Sequence, residues 1–269
     1  MAKSDKVKIT TKPGRPKLIA TNQNMSDIPT DFSAERFVKK LKTYQSPEEA
    51  KKYLRYFKTG QGQYGEGDIF IGVRMGQVFS IAKEFIDMPP NEIGKLLESP
   101  IHEIRAGGLS IMDKQARSKK TPERRRKELF DLYMSYTDRI NNWDLVDVSC
   151  IYVVGGYLFN KPRNILYKLA HSKNIWERRT SIVSTAYFIR QGDVDDTFKI
   201  AELLLNDNHD LIHKGTGWML RYAGQKDPQK LLSFLDQHAA TMPRTALRYA
   251  IEHLDREKRS HYLSKKKIE

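Results

Sequence analysis

The chain has 269 residues, of which 39% are hydrophobic and 30% charged, and 47 Lys and Arg face 33 Asp and Glu for a formal net charge of +14. That length can bury a sizeable core, whereas the longest apolar stretch, residues 151–159, contains two glycines and is too short to cross a bilayer. The single Cys150 excludes an intrachain disulfide and a cysteine-based zinc site, the basic start MAKSDKVKITTK lacks the apolar region of a secretory signal, and the expected location is therefore intracellular: cytoplasmic, and nucleoid-associated if the source is bacterial.

Such a cationic surplus points to a polyanionic partner, either nucleic acid or an anionic membrane surface. Residues 1–32 read as a disordered basic arm. Lys3, Lys6, Lys8, Lys12, Arg15 and Lys17 oppose only Asp5 within the first 20 residues, with Pro and Gly but no apolar period. Within it, Lys12-Pro13-Gly14-Arg15-Pro16-Lys17 faintly resembles an AT-hook, and a solvated basic linker is the simpler reading. From Phe32 onward the pattern is helical. Ser46-Pro47-Glu48-Glu49 supplies a cap, Pro at the first helical position and acids in the first turn, and Thr121-Pro122-Glu123 and Asp227-Pro228 repeat that start signal. Residues 160–162 and Gly192-Asp193 read as breaks, and about fourteen short helices are expected in all.

Five of these helices align on a polar residue followed by small or short ones. They read Arg105-Ala106-Gly107, Asp147-Val148-Ser149, Arg179-Thr180-Ser181, Lys214-Gly215-Thr216 and Arg244-Thr245-Ala246. The spacings of 42, 32, 35 and 30 residues suit stacked helical pairs, and the small residues suit close helix approach. The predicted fold is all-α: a right-handed α-α superhelix of HEAT-like repeats. Four aligned positions are cationic and one, Asp147, is a carboxylate. Phosphate attraction alone does not explain an acid in a basic groove; either it pairs with an arginine or it acts on something cationic.

Trp143 and Asp147 share a helix face at i and i+4, Lys214, Trp218 and Arg221 form one stripe, and Arg178 and Arg179 follow Trp176 at a helix start. Taken singly, each has a structural explanation, as core aromatic, dipole partner or surface ion pair. Together, the rings, the carboxylate and the basic stripe suit a cationic group held against DNA.

The stretches 141–147 (NNWDLVD), 174–179 (NIWERR) and 213–221 (HKGTGWMLR) resemble, in the right order, motifs of AlkD-like DNA alkylation-repair glycosylases; 53–68 and 242–253 also fit. The resemblance covers roughly residues 37–263 and implies one HEAT-like DNA-binding and glycosylase domain over 33–269. The implied activity is hydrolytic removal of cationic N3- and N7-alkylated purines, such as 3-methyladenine and 7-methylguanine, from double-stranded DNA. It would proceed without metal or cofactor, away from any membrane, in a monomer. The family's catalytic aspartate falls on Asp147, its lesion-flanking aromatics on Trp143, Trp218 and Tyr56, and its groove arginine on Arg179. Lys214 and Arg221 match its backbone-contacting residues, and Arg178, Arg105 and Arg244 complete the expected phosphate contacts. Asn142 departs from the tryptophan that stands there in the best-known members.

The implied chemistry is coherent. An alkylated purine leaves neutral without protonation, a fixed carboxylate stabilises the oxocarbenium character left on the sugar and orients water, and aromatic faces attract the cationic nucleotide. Glycosylases commonly flip the base into a pocket, whereas the family resembled leaves the lesion stacked. Two other motifs are set aside. Gly60-Gln61-Gly62-Gln63-Tyr64-Gly65 follows a predicted helix and not a strand, so it reads as a loop and not a dinucleotide site. His209-Asp210-Leu211-Ile212-His213 lacks a third metal ligand. The competing readings are a non-catalytic HEAT-like protein that binds damaged or branched DNA, and a protein-interaction scaffold.

Overall fold

The computed structural model describes residues 32–265, whose regular structure is helical apart from an isolated bridge between Ile69 and Ile101. The basic arm, through residue 31, lies outside the described residues, and Phe32 already meets the Phe85 ring edge-on at 6.3 Å. Against about fourteen expected helices, fifteen α-helices and one π-helical segment form among the described residues.

In chain order these are α1 (Ala34–Lys42), α2 (Pro47–Tyr56), α3 (Met75–Glu84), α4 (Pro90–Leu97), α5 (His102–Arg117), α6 (Glu123–Ser135) and α7 (Trp143–Cys150), which runs into the π-helical Ile151–Gly156. There follow α8 (Asn164–Ala170), α9 (Ile175–Ser184), α10 (Ala186–Arg190), α11 (Asp195–Leu203), α12 (Asp210–Gly224), α13 (Pro228–His238), α14 (Arg244–Ala250) and α15 (Arg256–Ser264). Their starts follow local chemistry. The Ser46 hydroxyl accepts from the Glu49 amide and the Asp227 carboxylate from the Lys230 amide, each with proline at the first helical position. The start expected at Thr121 is displaced: Pro122 is the N-cap of α6, and the Thr121 hydroxyl instead donates to the Gln115 carbonyl at 2.6 Å, on the end of α5.

Helices α5, α7, α9, α12 and α14 pack against one another in succession, and α4, α8, α11 and α13 each pack on a member of that row. The result is a solenoid of stacked helical pairs, in which each unit buries its apolar face mainly against its neighbours. The five aligned segments therefore lie on five consecutive helices of one layer. Between the layers runs a continuous core that includes Phe37, Leu109, Met112, Val146, Ile182, Phe188, Leu220 and Leu247, all fully buried. Each such side chain contributes roughly 1.5–3 kcal/mol on transfer from water. Close approach within the layer depends on small residues. A Cβ on Gly217 would stand 2.4 Å from the Ala246 carbonyl oxygen, so α12 and α14 approach backbone to backbone only because that position is glycine.

Candidate active site

A buried polar cluster fixes α7. Asn142 caps it, its side-chain oxygen accepting from the Trp143 amide at 2.8 Å while its Nδ2 donates to Asp68 at 3.0 Å. Two residues on, Asp144 accepts from His102 Nε2 at 2.8 Å, and His102 Nδ1 lies 3.1 Å from Asp68. Arg105 completes the cluster, with Nη2 2.5 Å from Asp68 and 3.0 Å from the Asn141 oxygen. Two carboxylates and two cations balance. Burial opposes the charge on His102, but Asp144 and Asp68 outweigh it and hold the imidazole at about 9. Burial likewise works to raise Asp68, yet His102, Arg105 and Asn142 hold it down at about 2. Loop, α5 and α7 are thereby tied at one point. That tie sets the direction of the face of α7 bearing Trp143 and Asp147.

That face opens on a cleft of about 460 Å³ lined by Tyr56, Lys58, Tyr64, Trp143, Asp147, Arg179, Leu211, Lys214, Trp218, Arg221 and Tyr249. Asp147 forms a bidentate pair with Arg179 of α9, Nε to Oδ1 at 2.8 Å and Nη2 to Oδ2 at 2.7 Å. The third nitrogen of Arg179 donates to the Leu211 carbonyl at 2.6 Å, so the guanidinium is fixed by both neighbouring helices. Arg179 is nearly buried, while the Asp147 side chain keeps 19% exposure toward the cleft. Burial pushes the Asp147 carboxyl above its ordinary 3.8, against the pull of Arg179. Each carboxylate oxygen spends one lone pair on Arg179 and retains acceptor capacity. On the rim, Tyr56 is exposed and meets the Trp143 indole edge-on at 5.9 Å, and Phe57 stacks beneath that indole at 5.8 Å. Lys214 pairs with Asp210 at 2.7 Å and Arg221 with Glu252, both carboxylates more than half exposed. The cleft can thus seat a cationic, planar group against rings and a carboxylate, with phosphates on its lysines and arginines.

The family model described as DNA alkylation repair enzyme matches residues 37–254. The chain belongs to that family. A solved structure described as a predicted DNA alkylation repair enzyme from Enterococcus faecalis shares the fold, with a TM-score of 0.63 and 16% identity over 79% of this chain and 97% of that one. No curated protein matches the sequence.

The cleft of this DNA alkylation repair family member brings together Asp147, Trp143, Trp218, Tyr56, Arg179, Lys214 and Arg221. Three expected phosphate contacts lie elsewhere. Arg105 is 2% exposed and is consumed by Asp68, Asn141 and the Ser99 carbonyl. Arg178 is held by Asp207 at 2.5 Å and by the Ser172 and Lys173 carbonyls, a staple between helix ends. Arg244 donates to the Leu263 and Lys265 carbonyls and so anchors α15 instead of lining the cleft. Conversely, Lys58, Tyr64 and Tyr249 line the cleft beside the expected site residues. Lys58 and Tyr64 come from the irregular segment after α2, where no period marks a face; Tyr249 lies within the 242–253 stretch, five residues past Arg244. The histidines of the 209–213 stretch have helix-end roles: His209 Nδ1 accepts from the Leu211 amide and His213 Nε2 bonds the Asp207 carbonyl.

Proposed function

We propose that the chain is a DNA glycosylase that hydrolyses the N-glycosidic bond of cationic N3- or N7-alkylated purines in duplex DNA, acting as a monomer without metal or cofactor. The observation that carries this reading is the Asp147–Arg179 pair, rigid and partly open, in an aromatic-rimmed cationic cleft. Alkylation places a positive charge on the purine. When the C1′–N bond breaks, its electron pair neutralises that charge and the base departs without a proton donor. Positive charge then develops on the deoxyribose, where the Asp147 carboxylate stabilises it and accepts a hydrogen bond from the attacking water. Water adds to C1′ and passes a proton to the Asp147 carboxylate, which returns it to solvent, leaving an abasic site and a neutral purine. Trp143, Trp218 and Tyr56 hold the cationic nucleotide by their ring faces, each for roughly 0.5–2 kcal/mol. Lys214 and Arg221 exchange their exposed carboxylate partners for phosphates.

The test is base release from methylated duplex DNA by wild type and Asp147→Asn. Wild type is expected to release 7-methylguanine or 3-methyladenine, and the variant to be at least tenfold slower while binding the duplex as well or better, since a like charge near phosphate is gone. Duplex binding by both proteins with no base release from either would instead establish a silent binder of damaged or branched DNA.

A further inference from the structure

Lys58 stands where a helix ending ordinarily takes glycine. It follows Phe57, the C-cap of α2; its amide donates to the Arg55 carbonyl at 3.4 Å, and the Thr59 amide donates to the Leu54 carbonyl at 3.2 Å. These are the two bonds of a Schellman ending, whose left-handed position favours a residue without a Cβ. Lys58 fills it with φ +49°, the one non-glycine residue of positive φ among the described residues. The glycine-rich segment 60–65 holds it there. The Gly65 amide donates to the Lys58 carbonyl at 3.2 Å, and a Cβ on Gly65 would stand 2.3 Å from the Phe57 carbonyl oxygen. A side chain kept at an unfavourable backbone position calls for a use. That of Lys58 lines the cleft with Asp147. Arg179 is bound to Asp147, Lys214 to Asp210 and Arg221 to Glu252, whereas Lys58 has no carboxylate partner among the described residues. Attraction for phosphate needs no such fixed position, since the exposed Arg55 one turn earlier supplies charge without it. A nucleophile does need one.

We propose that Lys58 is the nucleophile of a second activity, cleavage of the DNA strand at the abasic site through an imine. The inference rests on the glycosylase reading for the source of that site and concerns the step after base release. Hydrolysis at C1′ leaves a deoxyribose that opens to an aldehyde, the group that a lysine amine attacks. The cleft, about 460 Å³, has the size of a single small-molecule site, so Lys58 and Asp147 face the same sugar. Lys58 gives its proton to solvent, and its Nζ adds to the C1′ aldehyde; the adduct loses water to a protonated imine. The imine makes the C2′ hydrogen acidic, and solvent takes that proton. The electron pair left behind forms the C2′–C3′ double bond as the C3′–O bond breaks, and the 3′ phosphate leaves with the bonding pair. Water then hydrolyses the imine, which restores the amine and frees an unsaturated aldehyde at the strand end. No oxidant, reductant or metal enters the balance.

The experiment is borohydride trapping on a duplex with a preformed abasic site, made by excising uracil, so that base release by this protein plays no part. Wild type is compared with Lys58→Arg, which keeps the charge without the amine chemistry, and with Lys58→Gly. Glycine suits the left-handed position, so Lys58→Gly is expected to melt at or above the wild-type temperature, and lost trapping in it is not lost folding. Wild type is expected to give a covalent adduct whose peptide map places the DNA on Lys58, and to nick the strand when borohydride is left out. Both variants are expected to give at least tenfold less of each product. An adduct of wild-type yield in either variant, or one mapped to another lysine, would overturn the assignment. A wild type that releases methylated base but forms no adduct sinks the imine and leaves the glycosylase standing. Trapping at Lys58 by a protein that releases no base supports the imine and sinks the glycosylase reading alone.

Discussion

Asp147 is under two opposed influences, burial that favours its protonated form and Arg179 that favours the carboxylate. The proposed reaction uses the carboxylate. The sign of the pH dependence follows: with the pKa above 3.8, base release falls as pH drops through that raised value, and the acid limb of a single-turnover profile has its midpoint above 3.8. Removing the guanidinium removes the influence that lowers the pKa. Arg179→Met is therefore expected to move the acid limb to higher pH, besides slowing the reaction by loss of orientation. A limb in the same place in both proteins would show that the titrating group is not Asp147. Gly215 belongs to this scale too, since a Cβ there would lie 3.2 Å from Arg179 Nη1. The small residue after Lys214 leaves room for the guanidinium that serves Asp147.

At the scale of elements, the cluster beneath α7 makes stability pH-dependent from both sides. His102 is raised from 6.5 to about 9, so its contribution is complete below 6.5 and is lost as pH rises through about 9. Asp68 is lowered from 3.8 to about 2, so its contribution is present above 3.8 and is lost as pH falls through about 2. Urea midpoints are expected to be highest between roughly pH 4 and 6.5 and to fall toward pH 9. His102→Leu leaves two buried carboxylates short of a partner, and a loss of about 3–5 kcal/mol is expected, together with loss of the alkaline decline. If the decline persists in His102→Leu, another group drives it. Gly217→Ala, by contrast, is a packing test: overfilling the α12–α14 contact costs about 1–3 kcal/mol, or a melting temperature several degrees lower. Sequence reasoning reached helix starts and the layer of five helices because the signals were local. Caps at Ser46 and Asp227 and small residues after each aligned position are written within one turn. It failed where a side chain's partner is remote: Asp68 claims Arg105 from 37 residues away, and Asp207 claims Arg178 from 29. Helical spacing gives a residue's face and not its partner, and Asn142, a departure by motif, is a cap by structure.

For the whole molecule the deciding quantity is the response of binding to salt. A solenoid that binds peptides through apolar contacts loses little affinity as ionic strength rises, whereas one that neutralises phosphates loses it steeply, with a slope near −0.9 per phosphate contact. The cleft offers Lys58, Lys214 and Arg221 beside Arg179. Three phosphate contacts, leaving out the guanidinium committed to Asp147, predict a slope of about −3 for the helical body alone. Residues 1–31 add six Lys and Arg against three Asp. Deleting them is expected to lower the affinity for unmodified duplex and to flatten the slope by about one to three contacts, equally for all sequences, because charge without base-edge contacts carries no sequence preference. The rate of base release at saturating protein should be unchanged by that deletion, since the Asp147 cleft lies wholly in the helical body. A truncated protein with the wild-type slope would show that the arm does not touch the backbone, and a slope shallower than −2 in both proteins would favour the peptide-binding solenoid over the repair enzyme's duplex.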